Sequence, residues 1–296
     1  MIKLKGNKFL VTGGAGFIGS HICDALIAQD KEVVCVDNLV NGKMENIERH
    51  LHDPKFSFLK IDIRDLYPRN FEGVDVVFHE AASKFTVCRI DPKKDLMVNG
   101  WGALNVFECA YSARVRRVIH ASSGSVLGGI PKSYYGLSKY AGESYLRLMN
   151  LYYPAFDYVT LRYYHVYGSR QDNSLRGGVI PIFMKQILEN RPTTIYGNGK
   201  QLRHFTSVDD IVKVNLMAAE NESMSRKIYN IIPKRCISIN ELSVMMHRIM
   251  GREEKKIHLP EKPGEIYEFY TNSDEIEKLG FVFDVSIEDG VAKLMR

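Results

Sequence analysis

The sequence predicts an α/β protein: a doubly wound parallel sheet followed by a smaller C-terminal α/β substrate lobe. Three observations predict it. Short apolar runs of strand type alternate with segments of helical period from Lys8 to Tyr164. A glycine cluster stands between the first strand and the first helix. The alternation then stops, and residues 165–206 become rich in Gly, Arg and polar side chains.

The first unit carries the most information. The strand Lys8–Thr12 meets Gly13-Gly14-Ala15-Gly16-Phe17-Ile18-Gly19; a helix opens at Phe17, and a second strand, Glu32–Val36, ends in Asp37-Asn38. Strand, glycine turn, helix and strand ending in an acid are the parts of a Rossmann-type dinucleotide site. The glycines let backbone N–H groups approach a pyrophosphate, and the helix start at Phe17 and Ile18 supplies partial positive charge. Asp37 lies about 20 residues beyond the glycines, where a carboxylate accepts hydrogen bonds from the ribose hydroxyls and repels a 2′-phosphate. NAD is therefore expected over NADP. The stretch reads both as Gly14-x-Gly16-x-x-Gly19 and as Gly13-x-x-Gly16-x-x-Gly19, so the motif alone does not fix the register.

Further along, Lys43–Leu51 reads as a polar helix. Strands are expected at 56–61, 74–78, 115–123 and 158–164. Asp95–Ala113 has helical apolar spacing through Leu96, Val98, Leu104, Phe107 and Ala110, and Tyr135–Leu151 is a second helix. In the C-terminal part, helices are expected at 180–189 and 208–219, and a strand at 227–232 that returns to the sheet. Ser238-x-x-Glu241 is a capping box before the helix 242–250, and Ser286-x-x-Asp289 opens the last helix. This divides the chain into a NAD-binding Rossmann domain, 1–167 plus 207–232, and a smaller substrate-binding lobe, 168–206 plus 233–296.

The chain has 296 residues, 45% of them hydrophobic, enough for a sizeable core. A net charge of +5 without basic blocks suits an anionic small molecule and argues against nucleic acid. Cys23, Cys35, Cys88, Cys109 and Cys236 have no metal spacing and read as reduced thiols. The N-terminus runs directly into the first strand, and no apolar stretch has the length of a membrane span. A cytoplasmic protein without a signal peptide, metal or membrane contact is expected.

The chemistry centres on Tyr135-Gly-Leu-Ser-Lys139. On a helix the i,i+4 spacing puts both side chains on one face, where a lysine ammonium lowers the pKa of a phenol and makes it a usable acid/base. About one such match is expected by chance in a chain of this composition. The second, Tyr196-Gly-Asn-Gly-Lys200, lies in a turn where the shared face is lost. The first follows a strand ending in Ser122-Ser123, and a serine there can join a proton relay.

With these residues the chain resembles the extended short-chain dehydrogenase/reductases, in particular the NAD-dependent nucleotide-sugar epimerase/dehydratase family typified by UDP-glucose 4-epimerase. The resemblance covers nearly the whole chain. It rests on Thr12–Gly19, Asp37-Asn38-Leu39, Asp62-Ile63-Arg64-Asp65, His79-Glu-Ala-Ala82, Asn99, Ser122–Val126, Tyr135-x-x-x-Lys139, Leu161–Gly168 and Ile195–Arg203 with Val208-Asp-Asp210. It implies that Gly13, Gly16 and Gly19 cradle the pyrophosphate with Phe17 and Ile18. Asp37 and Asn38 hold the adenosine ribose, and Asp62 and Ile63 flank the adenine. Ala81, Ala82, Lys84 and Asn99 line the cofactor. Ser123 takes the place of the catalytic Ser/Thr, Tyr135 is the base and Lys139 anchors the nicotinamide ribose. Substrate contacts fall to Lys84, Ser123, Tyr135, His165, Arg203 and Lys262. Family members often form homodimers through the helices that here run Asp95–Ala113 and Tyr135–Leu151.

The activity implied is 4-epimerisation of a nucleotide sugar, a UDP-hexose foremost, by transient oxidation to a 4-keto sugar and return of hydride to the opposite face. Related dehydratases carry an acid beside the catalytic Ser/Thr, whereas Gly124 and Ser125 follow Ser123 here. An NAD(P)H-dependent NDP-4-keto-sugar reductase is the alternative. A non-catalytic dinucleotide- or RNA-binding relative is a third reading, against which stand the complete Ser123, Tyr135 and Lys139 set and the dispersed basic residues. The chain departs from the family pattern at His165, where Asn is usual, and at Lys262, where Arg is common. A further departure is the short stretch of six residues between Gly128 and Tyr135.

Overall fold

The computed structural model describes residues 2–127, 131, 133–172, 174, 177–261, 267, 268 and 271–295. In chain order the first elements are β1 (Lys8–Thr12), α1 (Phe17–Ile27), β2 (Glu32–Val36), β3 (Phe56–Leu59), β4 (Val76–His79), α2 (Phe85–Cys88), α3 (Pro92–Leu96), α4 (Ala103–Ser112), β5 (Arg117–Ser123), α5 (Tyr134–Tyr152) and β6 (Tyr158–Tyr163). There follow β7 (Val166–Tyr167), α6 (Val179–Leu188), β8 (Thr193–Tyr196), β9 (Leu202–Arg203), β10 (Thr206–Ser207), α7 (Val208–Glu220) and β11 (Lys227–Ile231). The chain ends with β12 (Ile237–Ser238), α8 (Ile239–Ile249), β13 (Lys256–Leu259), α9 (Asp274–Glu277) and α10 (Ile287–Lys293).

The molecule divides into two compact units, residues 1–163 with 211–229, and residues 164–210 with 230–296. The first holds the seven-stranded sheet, in the order β11-β6-β5-β4-β1-β2-β3. Pairings from β3 through β6 are all parallel. Such a sheet is covered on both faces, which is why β1 (Phe9, Leu10, Val11) and β4 (Val76, Val77, Phe78) are apolar without alternation and fully buried. Each such side chain contributes about 1.5–3 kcal/mol through burial. The strand order reverses at β1, which has β2 on one side and β4 on the other. Register aligns the strand ends there, with Thr12 opposite both Val36 and His79, and His79 opposite His120. Ligands of open α/β sheets bind at the carboxyl ends of strands at such a reversal.

Two expected helices differ. Residues 43–51 form two 3-10 turns, Met44–Asn46 and Glu48–His50, because the segment is tied to the glycine loop: Lys43 N–H (3.0 Å) and Asn46 Nδ2 (2.8 Å) both donate to the Ala15 carbonyl. The single helix expected over 95–113 is α3, a π-helical turn at Met97–Gly102, and α4. Asn99, buried, lies within that turn.

The second unit has its own core, in which Phe183, Ile187, Ile195, Leu242, Met246 and Val291 pack together. Its strands form three two-stranded pairs, β10-β7, β12-β9 and β13-β8. The capping box holds: Ser238 Oγ accepts from Glu241 N–H (3.1 Å) and Glu241 Oε2 from Ser238 N–H (2.7 Å), opening α8 at Ile239. Ser286 caps α10 by accepting from Asp289 N–H (3.1 Å).

Candidate active site

The glycine loop shows why each glycine is needed. Gly13 has φ +66°, and a Cβ on it would lie 2.8 Å from the backbone N and Cα of Ala81. A Cβ at Gly19 would strike the Gly13 carbonyl oxygen, and Gly16 N–H donates to that same oxygen at 2.9 Å. Gly14 packs against the buried Cys35 sulfur, 2.6 Å from where its Cβ would stand. The loop is thus built on Gly13, Gly16 and Gly19, with Gly14 pressed into the sheet. No side chain caps α1 at Gly16, and its first turn holds no acid. Phe17 and Ile18 are partly exposed at that turn, which therefore offers its N–H groups to an anion.

Asp37, buried at the end of β2, accepts from Ala15 N–H (3.1 Å) and Leu39 N–H (2.8 Å). Burial raises its pKa, and those two bonds oppose the shift. Asn38 Nδ2 donates to Asp62 Oδ2 (2.7 Å). Arg64 Nε (2.8 Å) and Nη2 (3.0 Å) clamp the two Asp62 oxygens, and Arg64 holds that carboxyl down to about 2. Ile63 is buried beside it. Ala81 N–H donates to Thr12 Oγ1 (3.2 Å), which fixes Ala81 and Ala82 against the glycine loop. Lys84 caps α2. Cradle, uncapped helix start and lone carboxylate fit a dinucleotide without a 2′-phosphate.

The acid–base end lies where β5 and α5 meet. Ser133 Oγ accepts from Gly136 N–H (3.0 Å), so α5 begins at Tyr134. A Cβ on Gly136 would stand 2.5 Å from the Ser125 carbonyl oxygen, so only glycine lets the first turn of α5 approach the end of β5. Ser123 Oγ lies 3.2 Å from Ser125 Oγ and accepts from Ser125 N–H at 3.1 Å. Lys139, buried, donates from Nζ to the Ala121 carbonyl (2.9 Å). Tyr135 packs edge-on against Phe85, centroids 5.9 Å apart.

The electrostatics correct one expectation. In the free protein the pKa of Tyr135 is shifted upward, not downward. Burial pushes its pKa up, and the neighbouring Asp95, Cys88 and Glu80 push it further. Burial brings Lys139 down to about 8, against the pull of Glu80, Asp95 and Glu143. Glu80 itself is raised to about 7 by burial, while its bond from Tyr163 Oη (2.9 Å) and the Lys139 charge oppose the shift.

Four carboxyl and hydroxyl side chains escaped the sequence reading as parts of this end. Glu143, fully buried, accepts from Arg162 Nε (2.8 Å) and Nη2 (2.6 Å) and from Ser122 Oγ (2.5 Å). Asp95 and Ser138 surround Asn99, and Glu80 binds Tyr163. A signal existed for Glu143, which continues the four-residue spacing Tyr135, Lys139, Glu143 along one face.

The remaining predicted substrate residues belong to the second unit. His165 follows β6 with φ +37°, a left-handed conformation that Asn and His tolerate better than most residues. Its ring meets Phe205 edge-on at 5.9 Å, and burial and then Arg203 lower its pKa to about 3, leaving it neutral. Arg203, on β9 opposite Ile237, lines a cavity of about 510 Å³ with Phe205, Arg235 and Phe281. Lys262 lies outside the described residues.

A model described as the NAD dependent epimerase/dehydratase family matches residues 9–231. The chain belongs to that family. Its cofactor is NAD, for which the glycine loop and Asp37 provide the fitting cradle. A putative UDP-glucose 4-epimerase of Methanocaldococcus jannaschii is 36% identical over 97% of each chain. A UDP-N-acetylglucosamine 4-epimerase of Methanobrevibacter ruminantium, solved with UDP-N-acetylmuramic acid, superposes with a TM-score of 0.92 at 32% identity over 99% of each chain. A UDP-N-acetyl-alpha-D-glucosaminuronate decarboxylase of Bacillus cytotoxicus is 29% identical over 86% of this chain and 83% of its own. Family membership thus spans several reactions on nucleotide sugars.

Proposed function

We propose that the protein is an NAD-dependent 4-epimerase of a UDP-hexose. The observation that carries this reading is the end of β5. Ser123 is followed by Gly124 and by Ser125, whose N–H and hydroxyl turn back onto the Ser123 oxygen (3.1 and 3.2 Å). Neither residue is the acid that the related dehydratases carry beside the catalytic Ser/Thr, whereas reversible oxidation needs only Tyr135, Lys139 and Ser123. The epimerase relatives at 36% and 32% identity support the same reading.

In this mechanism Ser123 hydrogen-bonds the sugar hydroxyl and Tyr135 takes its proton. Bound NAD supplies the hydride acceptor and, when oxidised, a positive charge. The Lys139 ammonium and the charge of a bound oxidised nicotinamide would offset the burial that holds Tyr135 protonated in the free protein. Tyr135 would then return the proton to the C4 oxygen of the turned sugar. His165, Arg203 and Lys262 are assigned to the nucleotide diphosphate and sugar, and Lys84 to the sugar beside the nicotinamide.

We further propose a homodimer formed through α3–α4 and α5, which expose Leu96, Met97, Trp101, Leu137, Leu148 and Leu151. The free thiols support a reducing, cytoplasmic setting. Among the described residues no helix is long and apolar enough to cross a membrane.

The test is proton NMR with NAD and a panel of UDP-, GDP- and dTDP-sugars, no reductant added. Conversion of a UDP-hexose to its C4 epimer without net NADH is the expected result. Turnover only of 4-keto sugars with added NADH would replace epimerisation with reduction.

A further inference from the structure

Beneath Tyr135 lies a buried polar cluster that the proposed mechanism does not use. Asp95, at the end of α3, is fully buried. Its Oδ2 lies 2.7 Å from Ser138 Oγ, and its Oδ1 accepts from Asn99 Nδ2 at 3.0 Å. Ser138 Oγ is also 3.0 Å from the Tyr135 carbonyl, but its single proton goes to the nearer carboxylate. Asn99 Oδ1 in turn accepts from Ser83 N–H at 2.8 Å. Asn99 and Ser138 are also nearly inaccessible. Two segments therefore meet on the carboxylate, the π-helical turn and the turn of α5 between Tyr135 and Lys139, and Asn99 ties in a third, the chain after Ala81-Ala82.

We propose that Asp95 is a positioning residue of the acid–base site, tying the Tyr135–Lys139 turn through Ser138 and Asn99 to the chain after Ala81-Ala82 and placing a buried negative charge beside the turn that carries Lys139. A buried carboxylate without a bonded cation is costly unless its position is over-determined, and here each oxygen has a donor. The charge acts on both members of the pair. It favours the ammonium of Lys139 and disfavours the phenolate of Tyr135. Groups facing the pair from other elements are Glu80 and His79 at the end of β4, Cys88 on α2, and His120 on β5; Glu143 faces Lys139 from α5 itself. Both histidines are held neutral by burial. Asp95 is thus one of three acids, with Glu80 and Glu143, that support the lysine charge. Glu143 is already neutralised by Arg162, and Glu80 is half-protonated near neutrality.

The proposal rests on the acid–base reading of Tyr135 and Lys139, and its test is separable from turnover. The Lys139 ammonium is titrated by NMR in protein labelled at the lysine ε-carbon, with Lys139→Arg assigning the signal. Asp95→Asn, which keeps the shape and removes the charge, is expected to lower the Lys139 midpoint by about half a unit or more. Ser138→Ala, which keeps the charge and removes one hydrogen bond, is expected to move it by less than half as much. Should Asp95→Asn fail to fold, Asp95→Ser gives the same readout. An unmoved Lys139 titration in the folded Asp95 variant, or an equal shift in Ser138→Ala, overturns the charge role. Activity divides the two readings. A shifted midpoint in a protein that epimerises no sugar sinks the reaction assignment and keeps the role of Asp95.

Discussion

The nucleotide end and the acid–base end of the candidate site, both in the first unit, are built on opposite plans. At the nucleotide end the backbone does the shaping. Gly13, Gly14, Gly16 and Gly19 are needed because any side chain would meet Ala81, Cys35 or the Gly13 carbonyl. At the acid–base end the shaping is done by side chains. Asp95, Asn99 and Ser138 form one buried network, and Glu143, Arg162 and Ser122 another. The first plan tolerates no added atom; the second tolerates no missing partner.

Substitutions should break the two ends differently. The largest effect is expected for Tyr135→Phe, which removes the proton acceptor: turnover falls by about 10²–10⁴-fold while NAD binding, followed by calorimetry, is retained. Glu143→Gln comes next. It leaves Arg162 facing a neutral partner in a buried pair and is expected to cost about 3–5 kcal/mol in denaturant unfolding. Gly13→Ala adds a Cβ in a left-handed conformation against the Ala81 backbone; about 1–3 kcal/mol of stability and most NAD affinity should be lost, with intact far-ultraviolet dichroism. If Gly13→Ala binds NAD normally, the backbone-only account of that end is wrong.

Two smaller effects sharpen the contrast. Glu80 has a folded pKa of about 7, above its ordinary 4.5. Folding therefore favours its protonated form, so the stability this brings is complete below its ordinary value and is lost as pH rises through about 7. Glu80→Gln should gain melting temperature relative to the parent as pH is taken from about 5 to about 8, in cofactor-free protein. The smallest effect belongs to Arg64→Met. Its pair with Asp62 is partly exposed, and its loss should cost under about 1 kcal/mol.

The same contrast explains what could be read from the chain. Gly13, Gly16, Gly19 and Asp37 were legible because backbone approach leaves a fixed residue type at a fixed spacing. The strands of the sheet were legible because burial on both faces writes continuous apolar runs. The break inside 95–113 was not, because a π-helical turn adds a residue without disturbing the apolar face formed by Val98, Leu104 and Phe107. Asp95 was not singled out, since a side-chain network spread over α3, the π turn and α5 leaves no local pattern, and Glu143 left only its four-residue spacing from Lys139. Lys43–Leu51 looked helical by composition and is held in 3-10 turns by bonds to Ala15, far away in sequence.

The strand order has one more consequence, for how the chain is made. β11 lies beside β6, yet residues 164–226 separate them in sequence. During synthesis the residues of β1 through β6 are made before those of β11, so the β6 edge has no partner on that side until residues 227–231 are available. Closing it requires a loop of long range, which is slow to form. Until β11 has been made the β6 edge has no partner strand on that side, and β11 is the strand that covers it.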